Sequence, residues 1–125
     1  MIIGIGTDIV EVKRIAKAAE EYGDRFMNRI FTINEKEYCE QHQPTKMLHY
    51  AARFAYKEAF SKAIGTGITK GFQFKDCGLK NLLSGQPVAD LSGVIAERWG
   101  SYKIHISLSH TDEYAVAMVV VEDLS

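Results

Sequence analysis

Lys103-Ile104-His105-Ile106-Ser107-Leu108-Ser109, followed by His110-Thr111-Asp112-Glu113 and then Tyr114-Ala115-Val116-Ala117-Met118-Val119-Val120-Val121, is the stretch that settles the class of this chain. Ile104, Ile106 and Leu108 alternate with polar residues, the period of a strand with one buried face. Tyr114 to Val121 is apolar and β-branched over strand length. Four polar residues join the two, so the segment predicts a hairpin in the core of a sheet. Alternation turns His105 away from that core, towards solvent or another surface.

Upstream lies the longest periodic segment, about Lys46 to Ile64, rich in alanine, free of glycine and proline, and followed by Gly65-Thr66-Gly67. It predicts the longest helix. Between helix and hairpin, Phe72, Phe74, Leu79, Leu82 and Leu83 read as strands, Ser84-Gly85-Gln86-Pro87 as a turn, and Asp90 to Trp99 as a short helix closed by Gly100. Near the start, Ile2, Ile3 and Ile5, interrupted by Gly4 and Gly6, predict a short buried strand that ends in the carboxylate of Asp8. Val12, Ile15, Ala16 and Ala19 recur at helical spacing from Glu11 to Tyr22, with Gly23 as the stop. A short helical piece over Arg25 to Ile30 follows. Thr32 with Glu35 three residues on is a capping box, which starts a helix over about Asn34 to Gln41 that ends before Pro44. With no internal repeat and no low-complexity stretch, the pattern predicts an α+β fold, helices packed on a mostly antiparallel sheet.

At 125 residues, with 46% hydrophobic and 25% charged residues, the chain fits one domain spanning 1–125. A chain of this size buries roughly two-thirds of its unfolded surface, so a deep private pocket would consume much of the core. A sizeable active site therefore calls for a neighbouring subunit. The balance of 15 Lys+Arg against 16 Asp+Glu argues against a protein that coats nucleic acid. Cys39 and Cys77 stand far apart with no CxxC and no zinc spacing, which predicts reduced thiols rather than a disulfide framework. The opening Met1-Ile2-Ile3-Gly4 carries no basic leader, and the longest apolar run, Ala115 to Val121, is far short of a membrane span. These features predict a soluble, cytoplasmic protein without a membrane partner.

Glu58 and Lys62 lie four apart on the long helix, neighbours on one stripe. They read either as a surface ion pair contributing about 0.3–0.5 kcal/mol or, with the small residues Ala51 and Ala55 leaving space beside them, as part of a site. Asp8 at a strand end reads either as an acid capping the first helix or as a second carboxylate sharing a hard cation with Glu58. Two carboxylates and a lysine suit a Mg²⁺-phosphate site, the metal neutralising phosphate oxygens and the lysine adding a mobile point charge. Gly65-Thr66-Gly67 is either a helix stop or a loop that approaches a phosphate. Ser107, Ser109 and His110 lack the context of a hydrolase nucleophile. On the first helix Lys13, Arg14 and Lys17, with Arg25 and Arg29 beyond, form either a mixed solvated face or a docking patch for an acidic helix of a partner.

Taken together, Gly4-Ile5-Gly6-Thr7-Asp8-Ile9-Val10, Arg14, the run Arg53-Phe54-Ala55-Tyr56-Lys57-Glu58-Ala59-Phe60-Ser61-Lys62-Ala63 with Gly65-Thr66-Gly67, and Ser107-Leu108-Ser109-His110-Thr111 resemble the holo-acyl-carrier-protein synthases, small 4′-phosphopantetheinyl transferases. The resemblance spans nearly the whole chain. It implies the 4′-phosphopantetheinyl transferase fold assembling as a homotrimer with sites between subunits. It also implies transfer of the 4′-phosphopantetheine arm from coenzyme A to a serine of apo-acyl carrier protein, releasing adenosine 3′,5′-bisphosphate, in support of fatty acid biosynthesis. The implied metal is Mg²⁺, with Mn²⁺ as the alternative, held by Asp8 and Glu58. Lys62 would stabilise the pyrophosphate. Glu58 or a metal-bound water would take the serine proton. Gly65, Thr66 and His105 would lie along coenzyme A, with Arg53 in support, and Arg14, Lys13, Lys17 and Arg25 would meet the carrier protein. Gln43-Pro44-Thr45-Lys46 offers one basic residue where some relatives place more, so Lys46 and His49 are the candidates to grip the 3′-phosphate. Two other readings use the same residues, a non-catalytic coenzyme A binder and a Mg²⁺-dependent phosphohydrolase. A binder has no need of both carboxylates, and a hydrolase would show a second metal set or a water-activating His/Asp pair.

Overall fold

The computed structural model describes residues 1–69 and 71–125. The elements in chain order are β1 (Ile2–Glu11), α1 (Val12–Tyr22), α2 (Asp24–Ile30), α3 (Ile33–Glu40), α4 (Lys46–Ala63), β2 (Cys77–Asn81), β3 (Pro87–Leu91), α5 (Gly93–Trp99), β4 (Lys103–His110) and β5 (Tyr114–Glu122). β1, β5 and β4 form a three-stranded antiparallel sheet in that order, and β2 and β3 form a separate antiparallel hairpin. The predicted α+β class and the β4–β5 hairpin are both present.

α4 lies across one face of the three-stranded sheet, and small residues set the distance between them. A Cβ on Gly4 would stand 1.8 Å from Ala63 O, and one on Gly6 would stand 2.0 Å from Ala59 O. No side chain fits in either gap, so only glycine lets β1 approach the helix this closely. Ala115, Ala117, Val119 and Val121 of β5 complete the buried face. Ala51 and Ala55 are fully buried as well, so they do not open space for a ligand. The small side chains of α4 are there for packing.

The opposite face of the sheet is open. Ile5 and Ile9 of β1 are 60% and 62% exposed, and Met118 of β5 lies in line with them at 44%. The first strand is therefore buried on one side only, not throughout as its isoleucines suggest. It is also longer than expected, ten residues.

A buried ion pair ties the remaining layers to α4. Lys57, fully buried, puts Nζ 2.9 Å from Glu35 Oε1 and donates to the carbonyls of Phe74 and Cys77 at 2.9 Å each. Glu35 in turn accepts from Thr32 N at 2.9 Å and from Leu79 N at 3.1 Å, while its own N–H is bonded to Thr32 Oγ1. The capping box read from Thr32 and Glu35 thus exists and is extended into the core. Phe74–Asp76 forms a 3₁₀ turn, not a strand, and Leu82 and Leu83 lie in the turn between β2 and β3. The helix expected from Asp90 starts at Gly93, because Asp90 and Leu91 pair with Gly78 and Cys77 in the β2–β3 hairpin.

Candidate active site

β1 carries Asp8 on the face that meets α4, opposite Ala117 of β5. There Lys62 arrives from the last turn of the helix, with Nζ 3.0 Å from Asp8 Oδ1 and 3.0 Å from the carbonyl of Thr7. Two open readings close at this point. Lys62 crosses to β1 instead of pairing along its own helix, so a local Glu58–Lys62 surface pair is not what the spacing builds. Asp8 sits three residues before Glu11, the N-cap of α1, and serves the ammonium rather than the helix end.

Glu58 is half-buried one turn before Lys62. Burial pushes its carboxyl above the usual range, and the nearby Asp8 carboxylate pushes it further, with Arg14 and Lys62 opposing. Arg14 belongs to the same neighbourhood, its guanidinium carbon 6.0 Å from the centre of the Phe54 ring. Phe54 is a buried core residue stacked on Phe74, and Arg14 rests on its ring. Lys13, Lys17 and Arg25 are exposed on α1 and α2. A shallow cavity of about 430 Å³ opens beyond Arg14's helix, lined by Tyr22, Arg25, Phe26 and Arg29.

Gly65 and Thr66 follow the C-terminal end of α4. Gly65 takes φ 86°, a conformation that favours glycine, and Thr66 N–H bonds back to Ser61 O at 3.1 Å. The loop is a helix stop placed just beyond Lys62.

The other expected residues lie elsewhere in the chain. Arg53 is five positions from Glu58, turned by roughly 140° around the helix, and faces β2 and β4 instead of β1. Lys46 begins α4 about 24 Å from Lys62 along the axis and is paired with Glu40 at 3.2 Å. His105 is on the open face of the sheet, beside Val120 of β5, with Nε2 2.9 Å from Glu122 Oε1. None of the three joins Asp8, Glu58 and Lys62 within one chain.

A family model for the 4′-phosphopantetheinyl transferase superfamily matches residues 4–119. A holo-[acyl-carrier-protein] synthase of Protochlamydia amoebophila is 42% identical over 96% of this chain and 98% of its own length. One from Ruminiclostridium cellulolyticum is 47% identical over 94% and 90%. Among solved structures, a holo-(acyl-carrier-protein) synthase from Bacillus anthracis in complex with CoA (3′,5′-ADP) superposes with a TM-score of 0.82 at 41% identity, covering 98% of each chain. The holo-[acyl-carrier-protein] synthase of Neisseria meningitidis superposes at 0.87 with 36% identity, over 98% of this chain and 100% of that one.

Proposed function

Because this chain belongs to the 4′-phosphopantetheinyl transferase superfamily, we propose that Asp8, Glu58 and Lys62 form its transfer site and that the two carboxylates hold a divalent metal there. The reaction moves the 4′-phosphopantetheine arm of coenzyme A onto apo-acyl carrier protein. The observation that carries the site assignment is the meeting of three charged side chains where the glycine strand crosses the end of α4.

The residues suit a hard cation. Carboxylate oxygens are the ligands Mg²⁺ and Mn²⁺ prefer, and a pair of them leaves coordination positions for substrate oxygens. Among the described residues no group of three or more His, Cys, Asp and Glu is placed to hold a metal, so two carboxylates are the protein ligands this reading offers. When bound, the metal would neutralise charge on the pyrophosphate. Lys62 brings a mobile ammonium to the same oxygens as charge builds on the leaving group. Glu58, directly or through a water, takes the proton of the carrier serine. The serine oxygen bonds to the β-phosphorus, the bond to the α-phosphate oxygen breaks, and adenosine 3′,5′-bisphosphate leaves with that electron pair. Gly65 and Thr66 border the donor, and Arg14, with Lys13, Lys17 and Arg25, meets the acidic face of the carrier protein.

The site is completed by a second copy. Ile5, Ile9 and Met118 form an apolar sheet face too exposed for a lone chain of this size, and His105 lies on it. Covering that face in a closed homotrimer brings the Arg53, Lys46 and His105 of one copy towards the Asp8 of the next. Among the described residues no helix is long and apolar enough to cross a membrane. Both cysteines are unbridged, which suits the reducing cytoplasm, where we place the protein.

Incubation with apo-acyl carrier protein, coenzyme A and Mg²⁺, followed by intact mass spectrometry of the carrier, tests the activity. A mass gain equal to the arm is expected, and none without metal. An unchanged carrier in the presence of all components would overturn the reading.

A further inference from the structure

Arg53 is 2% exposed, yet its guanidinium is only partly engaged. Nη2 donates to Asn81 Oδ1 at 2.6 Å and the group lies 4.3 Å from the centre of the Tyr38 ring, but Nε has no hydrogen-bond partner. A buried guanidinium with one N–H unpaired and no carboxylate beside it is costly, and an anion in the adjoining cavity would supply the missing counter-charge. The guanidinium borders a cavity of about 350 Å³ whose polar lining includes His49, Asn81, Ser107 and His110.

His49 lies one helical turn before Arg53, on the same stripe of α4. Its ring centre is 4.5 Å from that of His42 and 5.6 Å, edge on, from that of Tyr38. His42 Nδ1 is 2.7 Å from the carbonyl of Tyr38, which makes Nδ1 the donor and leaves Nε2 free. The charged and titratable groups around His49 are Arg53 on its own helix, His42 in the loop after α3, Tyr38 on α3 and His110 at the end of β4. Glu40, the carboxylate at the end of α3, is taken up by Lys46 and by Tyr50 at 2.6 Å. Burial first, then His42, Arg53 and His110, hold the His49 imidazole below its ordinary value, so it is neutral at pH 7. A dianion beside Arg53 reverses the sign of that environment and draws a proton onto the ring.

This pocket lies on the flank of α4 turned away from Glu58 of its own chain, and on the transferase reading the phosphoryl group it takes is one other than the pyrophosphate. On coenzyme A that group is the 3′-phosphate, a monoester that is a dianion above about pH 6. We propose that His49, backed by His42 and His110, makes the grip on this phosphate proton-linked: the dianion enters beside Arg53 and His49 takes up a proton with it. The proposal rests on the transferase reading and adds that preference for coenzyme A over its dephospho form is set by pH.

The test compares kcat/KM for coenzyme A and for dephospho-coenzyme A on the assembled enzyme with apo-carrier protein. Each enzyme is its own control, through the ratio of the two donors. In the unaltered enzyme the ratio should rise about fivefold from about pH 8 to about pH 6.5, within the ceiling of tenfold per pH unit for one proton. It should level off near pH 6, where the phosphate itself is protonated. His49→Phe keeps an aromatic ring in the stack and should lose the rise. His49→Lys carries a fixed charge and should hold a high ratio at every pH. A ratio indifferent to pH in the unaltered enzyme, or an undiminished rise in His49→Phe, overturns the proposal while leaving the transferase reading intact. Absence of transfer from both donors overturns both.

Discussion

Lys62 Nζ stands 3.0 Å from Asp8 Oδ1 across 54 positions of sequence. That contact joins the first strand to the end of the longest helix, and it leaves Glu58 without a salt-bridge partner among the described residues. The site is built on two rigid elements whose spacing is held by glycine on one side and alanine on the other.

Asp8→Asn and Glu58→Gln each keep the shape of the side chain and remove its charge. Each should lower kcat by about a hundredfold or more, the scale seen when one preorganised electrostatic group is deleted, with the circular dichroism spectrum unchanged. Full activity in either variant removes that residue from the site.

If the Arg53 pocket of one copy completes the Asp8–Glu58 site of the next, two inactive variants should complement each other. Glu58→Gln and Arg53→Ala, unfolded together and refolded as a mixture, should recover roughly a quarter of the unaltered activity, the share of interfaces in which both intact residues meet. Mixing without refolding should recover none. Activity that stays absent after refolding would place both residues in one chain's site.

Arg14→Glu should raise the KM for carrier protein by about tenfold or more and leave that for coenzyme A within about twofold, because a rim charge acts on encounter with an acidic partner. Steady-state kinetics with each substrate varied in turn measures the split. Equal changes in both constants would move Arg14 from the docking surface into the donor site.

Gly6→Ala places a methyl 2.0 Å from Ala59 O. β1 must lift from α4, at a cost of about 1–3 kcal/mol, and Asp8, two residues on and facing the same way, moves with it. Denaturant unfolding should show the loss of stability, and turnover should fall by more than the unfolded fraction explains.

Several features were legible because local signals carried them. Thr32 with Glu35 marks the start of α3 through hydrogen bonds that span three residues, and the alternation of Ile104, Ile106 and Leu108 marks the buried face of β4. Asp90 and Leu91 were misread as helical since strand and helix periods cannot be separated over so few residues. Phe72 and Phe74 look like strand residues by composition, but Lys57 holds the carbonyls of Phe74 and Cys77 from across the core. Asp8, Glu58 and Lys62 could each be picked out by type and spacing. Their meeting could not be read from either segment alone, because it follows from long-range packing of Gly4 and Gly6 on Ala63 and Ala59. Lys57 was hidden for a different reason. Lysine reads as surface, although its place one turn after Arg53, on a stripe continued by Phe60, is a core position.

The Glu35–Lys57 pair couples the order in which the chain is assembled to the order in which it comes apart. Lys57 gives up its water only when α3, the 3₁₀ turn and β2 have all reached α4, since their acceptors are shared out among those three segments. A partial structure lacking one of them holds a charge in a dry place with too few partners, which is unfavourable by several kcal/mol. These segments therefore open as one unit, and the amides of Thr32 and Leu79, both bonded to Glu35, should exchange with solvent at a common rate despite lying far apart along the chain.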